Sequence, residues 1–243
     1  MIKVMAISRS FGKVQAVKQV TFTAPDGQIT ALLGANGAGK TTSLRIIYAL
    51  IKPESGRVLI DGVDPVPEPE RARKLLGVLP DTRGLYTRLT ARENIEYFAA
   101  LHGLSTVQTD ARIQSLASDL RMEDFIDRRT DGFSQGQRVK VALARALVHD
   151  PQNIILDEPT NGLDVMSTRG VRSFLKKEKA RGKCILFSSH VMQEVAAVSD
   201  EILVIHEGVV CATGTQQELQ QQTGQDNLED AFVHIVTGDA NYE

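Results

Sequence analysis

Eight residues in the first fifth of the chain have the types and spacing to wrap a phosphate. Gly34-Ala35-Asn36-Gly37-Ala38-Gly39-Lys40-Thr41 fits the pattern GxxxxGK[ST], between an apolar strand-like run (residues 28–33) and a helix-like run, TTSLRIIYALI. Small residues let successive backbone N–H groups curl around a β-phosphate, and the following helix aims its positive end at it. Lys40 can then reach the β/γ oxygens and Thr41 can offer a hydroxyl to Mg²⁺, with Thr42 beside it. Each charge-assisted hydrogen bond of this kind contributes roughly 1.5–3 kcal/mol, so several together hold a nucleotide. A glycine-rich turn without a ligand is the alternative, and the strand–loop–helix context argues against it.

Farther along, Asn153-Ile154-Ile155-Leu156-Asp157-Glu158 is an apolar run ending in two carboxylates. Phosphoryl transfer needs a second contact to Mg²⁺ and a group that orients the nucleophile; Asp157 can serve as the metal carboxylate and Glu158 as the base. Neighbouring acids can also merely cap a strand, and the glycine loop upstream favours the chemical reading. Ser134 and Gly136 open a long helical run, which gives the chain a second helix terminus able to hold an anion. A plain N-cap is the competing role for Ser134.

The elements that must position these residues follow from periodicity and breakers. Strands are predicted at 17–22, 28–33, 57–60 and 76–79, then 154–157, 184–188, 201–205 and 209–212. Helices are predicted at 90–103, opened by a Thr90/Glu93 capping box, at 106–120, and at 134–149, stopped by Asp150 and Pro151. Two more follow at 165–181 and 192–198. Residues 88–149 are thus nearly all helical, while the flanks alternate as in a parallel α/β sheet. The reading is one domain with a core of 1–87 and 150–214, an inserted helical subdomain of about 88–149, and a loosely attached appendage at 215–243. The Pro-rich stretch 63–70 reads as a surface turn.

Composition narrows the partners. The 243 residues are 42% hydrophobic and 24% charged, with a formal net charge of -2, so the chain lacks the basic footprint of a nucleic-acid binder. No run approaches the roughly 18 apolar residues that a spanning helix needs, and the first residues carry no secretory pattern, so a cytoplasmic location is expected. Cys184 and Cys211 lack metal or CxxC spacing and read as free, buried thiols.

Phe133-Ser134-Gln135-Gly136-Gln137, followed by RVKVALARALVHDPQNIILDEPTNGLD, resembles the LSGGQ signature, its helix and the run into the second carboxylate motif of ABC ATPases. With the glycine loop in front, the resemblance covers the chain from end to end. Phe133 for Leu and Gln135 for Gly depart from the pattern; Ser134 and Gly136 keep it. The resemblance implies a P-loop NTPase (RecA-like) α/β core with an antiparallel β subdomain and an inserted α-helical subdomain. It also implies ATP and Mg²⁺ as ligands, an integral membrane permease as partner, and a second ATP-binding subunit, a homodimer if the two copies are alike. In that head-to-tail pair each ATP lies between the glycine loop of one copy and Ser134, Gly136 and Gln137 of the other.

Further roles come with the resemblance. Phe11 takes the place of the ring that stacks on adenine, unless it is a core residue; Asp164 matches an acid that couples the two sites, unless it only caps a helix. His190 matches the histidine that contacts γ-phosphate and joins Lys40 and Glu158 as the catalytic set. After LGVLP the family normally has a Gln that touches Mg²⁺ or water, whereas here Asp81 stands near that place and becomes a candidate metal ligand. Residues 86–103 are then the candidate surface for the permease.

Within the family, GLYTRLTARENIEYFAALHGL and ILFSSHVMQEV are most similar to sodium-exporting ATPase subunits of the NatA type. That implies ATP hydrolysis powering export through a separate permease at the cytoplasmic face of the membrane, with sodium one candidate cargo. Nothing in the chain is chemically tuned to sodium, so drug, haem-related or polysaccharide cargo stays open. The rival reading, a soluble ABC-type ATPase of DNA repair or translation, calls for two cassettes or a long coiled-coil insertion, and the sequence has neither.

Overall fold

The uninterrupted apolar runs of the sequence become the middle of a sheet, because a strand covered on both faces has no polar side to show. The computed structural model describes residues 1–82 and 84–238. The chain runs β1 (Ile2–Phe11), β2 (Val14–Ala24), β3 (Ile29–Leu33), α1 (Lys40–Ile47), β4 (Ser55–Ile60), α2 (Pro69–Lys74), β5 (Leu76–Leu79), α3 (Ala91–Leu101), α4 (Thr106–Leu120) and α5 (Gln135–Leu147). It continues through β6 (Asn153–Asp157), α6 (Val165–Ala180), β7 (Cys184–Ser189), α7 (Met192–Val198), β8 (Glu201–His206), β9 (Val209–Gly214), α8 (Gln216–Thr223) and α9 (Leu228–Thr237).

One sheet has the order β5-β6-β7-β3-β8-β9, parallel except for its last pair; the other is antiparallel, in the order β2-β1-β4. Alternate residues of the central strands point to opposite faces. Ile29, Ala31 and Leu33 join one hydrophobic cluster and Leu32 the other; Ile154 and Leu156 oppose Ile155 in the same way. The first cluster is closed by helical residues such as Ile95, Leu143 and Phe174, and the second by Leu44 of α1 and by Ile2 and Val20 of the antiparallel sheet. Parallel pairing sets Asp157 opposite Ser188 and Leu33 opposite Ser189, so the carboxyl ends of β3, β6 and β7 lie side by side. Open α/β sheets bind ligands at such ends.

Four features differ from the sequence reading. β1 was hidden because its alternation slips: Ile2 and Val4 are buried, Ala6 takes φ 48°, and a bulge shifts the next buried residue to Ile7. The proline-rich turn ends in α2, where Pro69 occupies the first helical turn at which its missing N–H is harmless. The tail is not loosely attached, since Leu219, Leu228, Ala231 and Phe232 are buried and α9 packs on α7 and β8. Of the two thiols Cys184 is buried, but Cys211 is exposed on β9, where alternate residues face solvent.

Candidate nucleotide-binding site

The glycine loop joins β3 to α1, and two of its glycines are required by packing. A Cβ on Gly34 would stand 2.3 Å from the Ile205 carbonyl, and one on Gly39, at φ 104°, would stand 2.5 Å from the Ala16 carbonyl. The loop thus lies against β2 and β8 with no room for a side chain at either of these two glycines. Ala35, Asn36 and Gly37 are exposed, while Ala38 is buried. Gly39 supplies no side-chain cap to α1, so the first N–H groups of the helix are left for a ligand. Lys40 is 5% exposed; its Nζ donates to the carbonyls of Gly34 at 2.7 Å and Ala35 at 3.2 Å and lies 3.3 Å from Glu158 Oε1.

Behind the loop, Asp157 Oδ1 accepts from Thr41 Oγ1 at 3.1 Å and from Ser188 Oγ at 2.6 Å. Burial pushes the Asp157 carboxyl above its usual range; the two hydroxyls pull it down, and the nearby charges of Asp81 and Glu158 raise it again. Glu158 has φ 48°, a left-handed conformation that costs a residue with a side chain about 1–3 kcal/mol. Its surroundings hold it there: its N–H donates to Ser188 Oγ at 3.0 Å, and its Oε2 lies 2.9 Å from His190 Nδ1. A cleft of about 370 Å³ is lined by residues that include Lys40, Thr41, Asp81, Glu158, Asn161 and His190. Thr42 also lines it.

The remaining predicted residues stand apart. Ser134 caps α5, its Oγ accepting from Gln137 N–H at 3.2 Å while Gln137 Oε1 accepts from Ser134 N–H at 3.1 Å. Gly136 is buried against α6, and a Cβ there would meet Ser167 Oγ at 2.3 Å. Asp164 caps α6 by accepting from the N–H and hydroxyl of Ser167, and the hydroxyl bond is the main cause that holds its carboxyl below the usual range. Phe11 is 47% exposed at the tip of β1, with the Arg9 guanidinium 5.3 Å from its ring centre, so it is not a core residue. It lies outside the residues that line the cleft.

Sequence reasoning missed Ser188, Ala16 and Asn161. Ser188 acts through strand register, and Ala16 meets the loop through its backbone; neither leaves a motif. Asn161 lines the cleft, and its carbonyl accepts from Gln135 Nε2 at 2.9 Å, joining the segment after Glu158 to the start of α5.

The sequence model of the ABC transporter family matches residues 17–161. The chain belongs to the ABC transporter ATP-binding family. It is 44% identical to the ABC transporter ATP-binding protein NatA of Bacillus subtilis over 90% of each chain. It is 38% identical to a Nod factor export ATP-binding protein I of Rhizobium meliloti, across 88% of this chain and 64% of that one. Among solved structures it resembles the dimeric, post-hydrolysis ATP-binding cassette MJ0796 bound to ADP and Pi, with a TM-score of 0.79 and 27% identity over 88% of this chain and 98% of that one. As an ABC ATP-binding subunit the chain is a P-loop NTPase, an ATP hydrolase coupled to transport. Subunits of this family dimerise and work with membrane permeases. Among the described residues no helix is long and apolar enough to cross a membrane.

Proposed function

We propose that this chain is the ATP-hydrolysing motor of an exporter, paired with a second copy of itself and seated on a separate membrane permease at the cytoplasmic face. The observation that carries the chemistry is Glu158, placed in one cleft between Lys40 and His190 with the Asp157–Thr41 pair behind it. The amides of residues 34–42 and the Lys40 amine hold the phosphates. Thr41 and Asp157 are the residues that would hold Mg²⁺, with Asp81 at the cleft wall as a third, an oxygen set that suits a cation which keeps several waters. When bound, Mg²⁺ neutralises charge on the β- and γ-oxygens. Glu158 takes the proton of the attacking water, and His190, bonded to it, fixes its direction and faces the γ-phosphate.

Ser134, Gly136 and Gln137 serve the partner's ATP, since they lie across the Gln135–Asn161 bridge from the cleft of their own chain. Asp164 stands beside them, 3.8 Å from where a Gly136 Cβ would be. The exposed Phe11 ring, with the Arg9 guanidinium over it, is the aromatic surface offered to adenine. A second cleft, of about 580 Å³, is lined by residues that include Asp81, Leu85, Thr87, Phe133 and Arg138. With Tyr86 exposed between Leu85 and Thr87 and its ring 5.5 Å from that of exposed Tyr97, this cleft supports docking of the permease on residues 86–103. Sodium is the first cargo to test, from the likeness to the NatA type; the Nod factor export relative makes a cargo other than an ion the second reading.

The test is Glu158→Gln. It keeps ATP binding, slows turnover by about 10²–10⁴-fold, and accumulates an ATP-bound dimer on size-exclusion chromatography. Full turnover by this variant would remove Glu158 from the role of base.

A further inference from the structure

The described residues of the loop that follows β5 are fastened to side chains of the helical region beyond the sheet. Asn94 of α3, fully buried, accepts from Tyr86 N–H at 2.9 Å and donates to the carbonyls of Tyr86 at 3.1 Å and Thr90 at 2.8 Å. Thr130 adds its hydroxyl to the Tyr86 carbonyl at 3.0 Å and its N–H to Leu89. Nearer to Asp81, Arg145 Nη1 donates to the Gly84 carbonyl at 2.7 Å, and its guanidinium carbon lies 4.6 Å from the ring centre of Phe98 on α3. Arg145 belongs to α5, the helix whose first residues follow Ser134.

One helix of 13 residues therefore carries Ser134 and Gly136 at its start and, near its end, a guanidinium gripping the backbone three residues after Asp81. Asp81 lines the cleft of Lys40 and Glu158. We propose that Arg145 is the positioning residue that ties the Asp81 loop to α5, so that a shift of Asp81 at the subunit's own nucleotide reaches the helix end facing the partner's nucleotide. This inference rests on the nucleotide reading given above. Arginine suits the task because a planar guanidinium donates in its plane while its face lies on an aromatic ring; a lysine ammonium is a point charge that cannot do both. A hydrogen bond from a charged donor is worth about a tenfold bias or more in an equilibrium, enough to decide whether loop and helix move together.

The experiment is hydrogen exchange read by mass spectrometry on the full chain carrying Glu158→Gln, with and without ATP and Mg²⁺. Arg145→Lys, Arg145→Met and Phe98→Leu are compared in that background. Expected is equal ATP-dependent protection of residues 34–42 in every version, with the ATP-dependent change at 84–90 and 134–140 reduced about tenfold in the Arg145 variants and less in Phe98→Leu. In chains with Glu158 intact, Arg145→Lys should keep the KM for ATP within about twofold and lose about tenfold in kcat, a split that general loosening of the fold does not produce. Where Arg145→Met fails to fold, Arg145→Lys keeps the charge and most of the stem, and the comparison stands on it. Changes at 84–90 and 134–140 in Arg145→Lys that match the parent would overturn the inference. Absence of protection at 34–42 in the parent would overturn the nucleotide reading, and this inference with it.

Discussion

Ser188 donates its hydroxyl hydrogen bond to Asp157 Oδ1 and accepts from the Glu158 N–H, so one side chain holds the first carboxylate and the backbone that carries the second. Ser188→Ala leaves the buried Asp157 with one hydroxyl partner and is expected to cost about 1.5–3 kcal/mol in urea unfolding, with a fall in kcat. Asp81→Asn removes an anion from the cleft wall and should move the Mg²⁺ dependence of turnover to higher concentration; an unchanged titration would exclude Asp81 as a ligand. Lys40, Asp157 and Glu158 stood out in the sequence because their types and spacing form motifs, and the structure brings them to one place. Ser188 was not, because its role arises from which residue of β7 lies opposite Asp157. Gly136→Asp, a natural test of the helix terminus, also forces Ser167 aside, so a loss of dimer in that variant has two causes.

Among the elements, helices announced themselves by their caps. Thr90 with Glu93 and Ser134 with Gln137 form capping boxes, and both helices begin there. β1 and α2 did not, one because a bulge breaks its alternation and the other because six residues give too little periodicity. Where α3 meets α5, His102 and His149 stack with ring centres 3.6 Å apart, and His149 Nε2 lies 3.0 Å from the Leu76 carbonyl. Burial, then His102, pulls His149 down to about 4; Arg112 also lowers it, while the Leu76 carbonyl and Asp150 raise it. A histidine with a native pKa below its unfolded value binds more protons unfolded, so stability falls as pH drops from about 6.5 toward 4. His149→Phe keeps the stacking and should flatten this slope; thermal unfolding at pH 5 and pH 7.5 reads it, and an unchanged slope would assign the effect elsewhere.

For the molecule as a whole, the parallel core and the inserted helices were readable from the rhythm of apolar runs, and the tail was not. The polar run TQQELQQQ conceals that a single leucine in two turns suffices when that leucine is Leu219, fully buried. Truncation after Gly214 should lower the urea midpoint sharply, because Leu219, Leu228 and Phe232 each contribute roughly 1.5–3 kcal/mol of burial. A truncated chain with an unchanged midpoint would contradict the packing. The two thiols have a practical consequence. Cys184 is buried and its thiol is pushed up to about 11, whereas Cys211 faces solvent. A maleimide dye should mark each subunit once, at β9, without engineering. Mixing donor- and acceptor-labelled batches would then report, by energy transfer, whether two copies come together.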